Sequence, residues 1–149
     1  MLRKSLLPPF VVALSLASCG GDSGPSKAEF IEDADAICRE GDQRAEEIAG
    51  EAFQDPENPT AGEVLAVLKE LIPVQRETID DVRELEMPDG EEDEINSILD
   101  QADAATDEAA EIQDPQEAVA VVQASDTPRD PFYEADKAAQ DYGFEDCGE

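Results

Sequence analysis

Three long stretches and a fourth, interrupted one carry apolar residues at steps of three and four. That spacing gathers them on one side of a helix. In the first stretch the repeat runs through Phe30, Ile31, Ala34, Ile37, Cys38, Ala45, Ile48, Ala49 and Ala52. Ser26 with Glu29 three residues on predicts a capping box at its start. The prolines of Asp55-Pro56-Glu57-Asn58-Pro59 predict its end. Thr60 and Glu63 predict a second capping box, ahead of a stripe through Val64, Leu65, Leu68, Leu71, Ile72, Ile79, Val82 and Leu85. Pro73 sits inside that stripe, and because the period resumes beyond it a kink is expected rather than a break. A turn at Met87-Pro88-Asp89-Gly90 leads to a third stripe through Ile95, Ile98, Leu99, Ala102, Ala105, Ala109 and Ile112. Asp114, Pro115 and Glu117 read as N-cap, first helical residue and N3 of the fourth stretch. That stretch is expected to break around Asp126-Thr127-Pro128, restart at Asp130-Pro131 and end at a left-handed Gly143. No strand-length alternation competes. Comparable segments joined by short loops predict an all-α fold, an up-and-down four-helix bundle with a broken fourth helix.

The first residues do not fit that pattern. Arg3 and Lys4 precede an apolar run from Leu6 to Ala17 that is shorter than the roughly 20 residues a membrane span needs, so it reads as an export signal. Its last four residues, Leu16-Ala17-Ser18-Cys19, resemble the lipobox of bacterial lipoproteins. The resemblance implies cleavage before Cys19 and lipidation of its sulfur. The expected organisation is a signal peptide over 1–18, a lipidated Cys and flexible tether over 19–25, and a helical ectodomain over 26–149. The expected place is the extracytoplasmic face of a bacterial cell membrane.

Charge narrows the function. The chain has 149 residues, 10 of them Lys or Arg against 39 Asp or Glu, and a formal charge of −29. Such a polyanion repels nucleic acid. The absence of His removes Ser-His-Asp triads, Cys-His pairs, His zinc sites and Glu-x-x-His di-iron sites. Removing residues 1–18 takes away two basic residues and no acidic ones, so the mature domain is still more negative. Self-repulsion of that size opposes compaction.

Glu29-Phe30-Ile31-Glu32-Asp33-Ala34-Asp35-Ala36-Ile37-Cys38 behind the lipobox and tether resembles the start of small actinobacterial lipoproteins. The ending Tyr142-Gly143-Phe144-Glu145-Asp146-Cys147-Gly148 and the turn from Leu85 to Pro88 are similar to the same group. That resemblance implies an exported helical domain with a Cys pair and assigns no catalytic residue.

Two cysteines remain once Cys19 carries lipid. Cys38 and Cys147 are an even pair in an oxidising compartment, which predicts a disulfide. A metal or redox pair lacks its usual His partners and CxxC spacing. In an up-and-down order the fourth helix ends beside the start of the first, which brings the two cysteines together. Carboxylates are the remaining reactive groups: Glu91-Glu92-Asp93-Glu94 at a helix start, and Asp103, Asp107 and Glu111 on one face. A solvated acidic surface is the expected reading, because charges at this density ordinarily face water. Asp33-x-Asp35 lacks the glycine and spacing of an EF-hand loop. Phe132, Tyr133, Tyr142 and Phe144 are expected to seal the bundle end around Cys147. The functional expectation is a non-catalytic, membrane-anchored lipoprotein with a binding or envelope-structural role, monomeric, without metal or cofactor. The competing expectation is an acidic domain that captures Ca²⁺ or a cationic molecule. An enzyme has no support in the sequence.

Overall fold

In the computed structural model, which describes residues 24–53, 55–125 and 127–148, both capping boxes close as their spacing demands. Ser26 caps α1 (Lys27–Ala52): its hydroxyl accepts the Glu29 N–H at 3.3 Å, and the Glu29 carboxylate accepts the Ser26 N–H at 2.9 Å. The Ser26 hydroxyl also donates to the Glu29 carboxylate at 2.7 Å, and this bond first, then the one from the Ser26 N–H, holds the Glu29 carboxyl below its ordinary pKa. Thr60 and Glu63 repeat the arrangement ahead of α2 (Ala61–Glu84). Helix α3 (Glu92–Ala110) follows the Met87–Gly90 turn, and Asp114 caps α4 (Pro115–Val122) by accepting from Gln116 and Glu117. The chain breaks beyond α4 and resumes as α5 (Tyr133–Tyr142), which ends on Gly143 at φ 118°. Among the described residues there is no strand, and no helix is long and apolar enough to cross a membrane. The proposed signal peptide, Cys19 and residues 20–23 of the tether lie outside the described residues. Gly24, at the other end of the tether, sits against the carbonyl of Met87.

Ion pairs give the direction of each neighbour. Arg44 meets Glu77 at 2.6 Å, Arg76 meets Asp107 at 2.7 Å, and Arg83 meets Asp103 and Asp100 at 2.7 and 3.2 Å. Arg76 and Arg83 rise along α2 as Asp107 and Asp103 fall along α3, so α2 and α3 are antiparallel, and Gly41 beside Thr78 with Arg44 on Glu77 sets α1 the same way against α2. The acidic face of α3 is therefore partly neutralised from α2, which periodicity along one helix cannot show. Helix α2 packs on α1, α3 and α4, while α5 packs on α3. Having three neighbours, α2 buries a broader arc than one stripe. Val67 and Val74 join its core although they lie off the predicted line, and the helix runs on through an exposed Pro73.

Two apolar clusters result. The larger holds Phe30, Ala34, Ile79, Val82, Ile95, Ile98, Leu99, Ala139, Tyr142 and Phe144. The smaller holds Val64, Ile112 and Ala118, with Phe53, Leu65 and Leu68 against it. Each fully buried large side chain contributes about 1.5–3 kcal/mol of transfer free energy, so the larger cluster dominates. Among the described residues the α1 backbone does not lie close along α4 or α5, and α5 is reached through side chains such as Lys27 over the Tyr142 ring. That side is bridged by the segment after Gly143, and a cleft remains.

At the end of the larger cluster, the Tyr142 hydroxyl donates to the Glu91 carboxylate at 2.6 Å, and the Lys27 ammonium stands 3.6 Å from the Tyr142 ring centre. Burial first, and then the bond to Glu91, push the phenol above its ordinary pKa of 10.0. The folded state thus favours neutral Tyr142. Its stabilisation is fully present below pH 10 and declines above it, as the unfolded chain ionises first. Tyr142→Phe should cost about 1–2 kcal/mol at neutral pH for the lost charge-assisted bond. In denaturant titrations from pH 9 to 12, the wild type should lose more stability than the variant, and parallel losses would contradict the assignment.

The crossing of α1 and α2 is tight at Gly41. A Cβ there would stand 2.5 Å from the Thr78 hydroxyl oxygen and 3.4 Å from its methyl. Thr78 is held by donating to the Val74 carbonyl at 3.0 Å, so turning it breaks a bond. Gly41→Ala should therefore destabilise by about 1–2 kcal/mol despite the better helix propensity of Ala. In a Thr78→Ala background the same change should stabilise by about 0.5–1 kcal/mol, because only propensity remains. Urea unfolding of the four proteins measures this; an unchanged sign would show that the crossing is not limited by contact.

Candidate functional site

The site begins with how the last residues are held. Gly143 takes the left-handed conformation that residues with a Cβ avoid, and it turns the chain back from the end of α5. Phe144 then buries against Phe30 and Tyr142, with ring centres 6.0 and 5.0 Å away. The next three N–H groups converge on one carboxylate. Asp35, 5% exposed, accepts from Glu145 at 3.0 Å, Asp146 at 3.0 Å and Cys147 at 3.2 Å. One helical turn after Asp35, the Cys38 and Cys147 sulfurs lie 1.99 Å apart and form a disulfide. The bridge spans 109 residues of sequence, a loop whose closure is worth about 4–5 kcal/mol through the unfolded state. Arg39 adds an ion pair to Asp146 at 2.6 Å.

Beside this clamp lies a cleft of about 380 Å³. Helix α1 supplies Cys38, Gly41, Asp42 and Ala45; α2 supplies Leu71, Val74, Gln75 and Thr78. The far wall is Ser125, Asp130 and Phe132 from the α4–α5 connection, Asp136 from α5, and Asp146 and Cys147 from the tail. Four carboxylates and no Lys or Arg line it. A smaller cavity of about 60 Å³ lies on the inner side of the same wall. It shares the disulfide, Gln75, Thr78, Phe132 and Asp136 with the cleft, and its other walls are chiefly apolar, including Ile79, Val82, Ile98 and Leu99. An apolar recess thus backs an acidic mouth. Among the described residues no three of His, Cys, Asp and Glu converge as metal ligands would.

The expected pair Cys38 and Cys147 comes together, whereas Cys19 lies outside the described residues. The acidic groups singled out on α3 stay away from the cleft: Glu91 serves Tyr142 and Lys27, Asp103 serves Arg83, and Asp107 serves Arg76. Of the four C-terminal aromatics, Tyr142 and Phe144 seal the core. Tyr133 is half-buried, and Phe132 lines the cleft instead. Sequence reasoning missed Asp35, and the available signal was its position one turn before Cys38 on the buried face. It also missed Asp42, Gln75, Asp130 and Asp136, which meet only through tertiary structure. The chain matches no family model, no curated protein and no solved structure.

Asp35→Ala leaves three N–H groups without their acceptor and should cost about 2–3 kcal/mol, the scale of buried unsatisfied donors. Asp35→Asn retains one carbonyl oxygen and should fall between. Hydrogen exchange at the Glu145, Asp146 and Cys147 amides should accelerate in the Ala variant with the disulfide intact. Unchanged protection there would dismiss the carboxylate as the clamp.

Proposed function

We propose that this chain is a bacterial lipoprotein of the extracytoplasmic membrane face, anchored through lipid on Cys19, whose helical domain acts by binding and not by catalysis. The proposal includes residues 1–18 as a cleaved signal peptide and the domain as a monomer. It also reads the helix order as an up-and-down four-helix bundle in which α4 and α5 divide the fourth leg. Kinship with small actinobacterial lipoproteins belongs to the same reading.

The observation that supports a binding role is the cleft between α1, α2 and the α4–α5 connection. A purely structural domain gains stability by filling such a space, since a void forfeits the contacts of its lining. Here the space is bordered by groups from five parts of the chain, with polar groups at the mouth and apolar ones behind, the general composition of ligand sites. Of the two cargoes open to an acidic domain, the arrangement favours a cationic molecule over Ca²⁺. Calcium takes six to eight oxygens at about 2.3–2.6 Å, a closer convergence than carboxylates spread around a cleft provide.

The anchor is tested apart from the cleft. In cells that process lipoproteins, the wild type should partition with membranes and yield a mature N-terminal peptide bearing lipid on Cys19, read by mass spectrometry. Cys19→Ser should leave the membrane fraction and remain unprocessed. A mature wild-type N-terminus free of lipid would reject the anchor.

A further inference from the structure

We infer that the inner recess and the apolar floor of the cleft form one track, and that this track receives the linear alkyl chain of a ligand entering at the mouth. This deepens the binding reading above and rests on it. It concerns the ligand's chain and not its head group.

The lining of the recess is divided by polarity. Among the described residues its polar side chains are Gln75, Thr78 and Asp136, and all three also border the cleft. Every side chain that lines the recess alone is apolar, and most of these are buried, as Ile79, Val82, Ile98 and Leu99 are. The Thr78 hydroxyl already donates to the Val74 carbonyl. A buried water makes about two to four hydrogen bonds, which such a lining does not supply, so the space suits hydrocarbon. It also lies among short side chains: Ala102 from α3 and Ala135 and Ala139 from α5 stand where longer ones would close it. A void forfeits the dispersion contacts of its lining, and an entering chain restores them.

Size selects the shape of the ligand. The recess holds about 60 Å³, against roughly 150 Å³ for an apolar cavity that takes a benzene ring. A ring is excluded, whereas the end of an alkyl chain fits. The apolar surface then continues outward along one side of α2, with Val82 and Ile79 in the recess and Val74 and Leu71 in the cleft. Leu71 to Val82 spans about 16 Å of helix, longer than an extended octyl chain. Phe132 and the Cys38–Cys147 disulfide border both spaces and form the neck between them. The way in exists because the α1 backbone does not lie close along α4 or α5.

The experiment titrates the purified full-length chain with butanol, hexanol, octanol, benzene and tetramethylammonium, and follows the Ile, Leu and Val methyl signals by NMR. Uncharged alkanols are chosen because bulk attraction to a polyanion cannot produce their binding. Octanol should bind saturably and shift the methyls of Ile79, Val82, Ile98 and Leu99. Each added methylene from butanol to octanol should tighten binding about fourfold, the worth of one buried CH₂. Benzene should give no saturable shift. Ala102→Leu, which fills the recess from α3, should abolish octanol binding, as should Ala135→Leu, which fills it from α5; thermal melts check that each folds. Benzene binding as tightly as hexanol overturns the linear chain. Affinity that does not rise with chain length overturns the track. Unchanged octanol binding in either variant that folds, or shifts confined to methyls outside the recess and cleft, places the alkanol elsewhere and overturns the proposal. Where the alkanols fail but tetramethylammonium binds saturably, the inference falls and the binding role of the cleft stands. Where neither binds, both fall, while the mass of the Cys19 peptide judges the anchor independently.

Discussion

The carboxylate of Asp35 gathers the N–H groups of Glu145, Asp146 and Cys147 where water barely reaches, and one turn along α1 the Cys38–Cys147 bridge fixes the same tail. This double hold carries the closure of the fold. The α1 backbone does not lie close along α4 or α5 among the described residues, so beside side-chain contacts such as Lys27 on Tyr142 it is the tail that ties the last part of the chain to the first. Three donors on one acceptor also leave a buried charge well paired, the condition under which an ionised side chain is tolerated inside a protein. Phe144 adds apolar area at the same place by packing on Phe30.

Scarcity of positive charge is the second constraint. With ten basic residues against thirty-nine acidic ones, repulsion between helices is a standing cost. Arg44 and Arg76 each carry charge to the neighbouring helix, and Arg83 reaches two carboxylates on α3. Each exposed pair contributes about 0.2–1 kcal/mol, so their role is to relieve repulsion where helices meet more than to bind them.

The cleft and the clamp share a wall, and the physical connection runs through the disulfide. Cys147 is held from one side by Asp35 and lines the cleft on the other, while Asp146 is both a clamp residue and a rim carboxylate. Geometry at the mouth is therefore set by covalent and buried polar contacts instead of by a free loop end. A rim preorganised in this way loses little freedom when a ligand arrives, which favours binding.

Local chemistry made much of this protein legible from sequence. The capping boxes at Ser26 and Thr60, the Asp114-Pro115 start, the Gly143 stop and the break after α4 depend on residues within one or two turns, and each appears where its spacing puts it. The Cys38–Cys147 pair followed from counting cysteines in a chain read as exported and from antiparallel order. Tertiary structure alone decided the rest. Val67 and Val74 are buried because α2 has three neighbours, a fact outside any single helix period. Asp35 looks like one more acid among many, and only the returning tail supplies the donors that single it out. The cleft exists because α4 settles on α2 and α5 on α3, leaving α1 bridged by chain rather than by helix. Periodicity reports which face of a helix is apolar; it carries no information about which neighbour covers that face, or where none does.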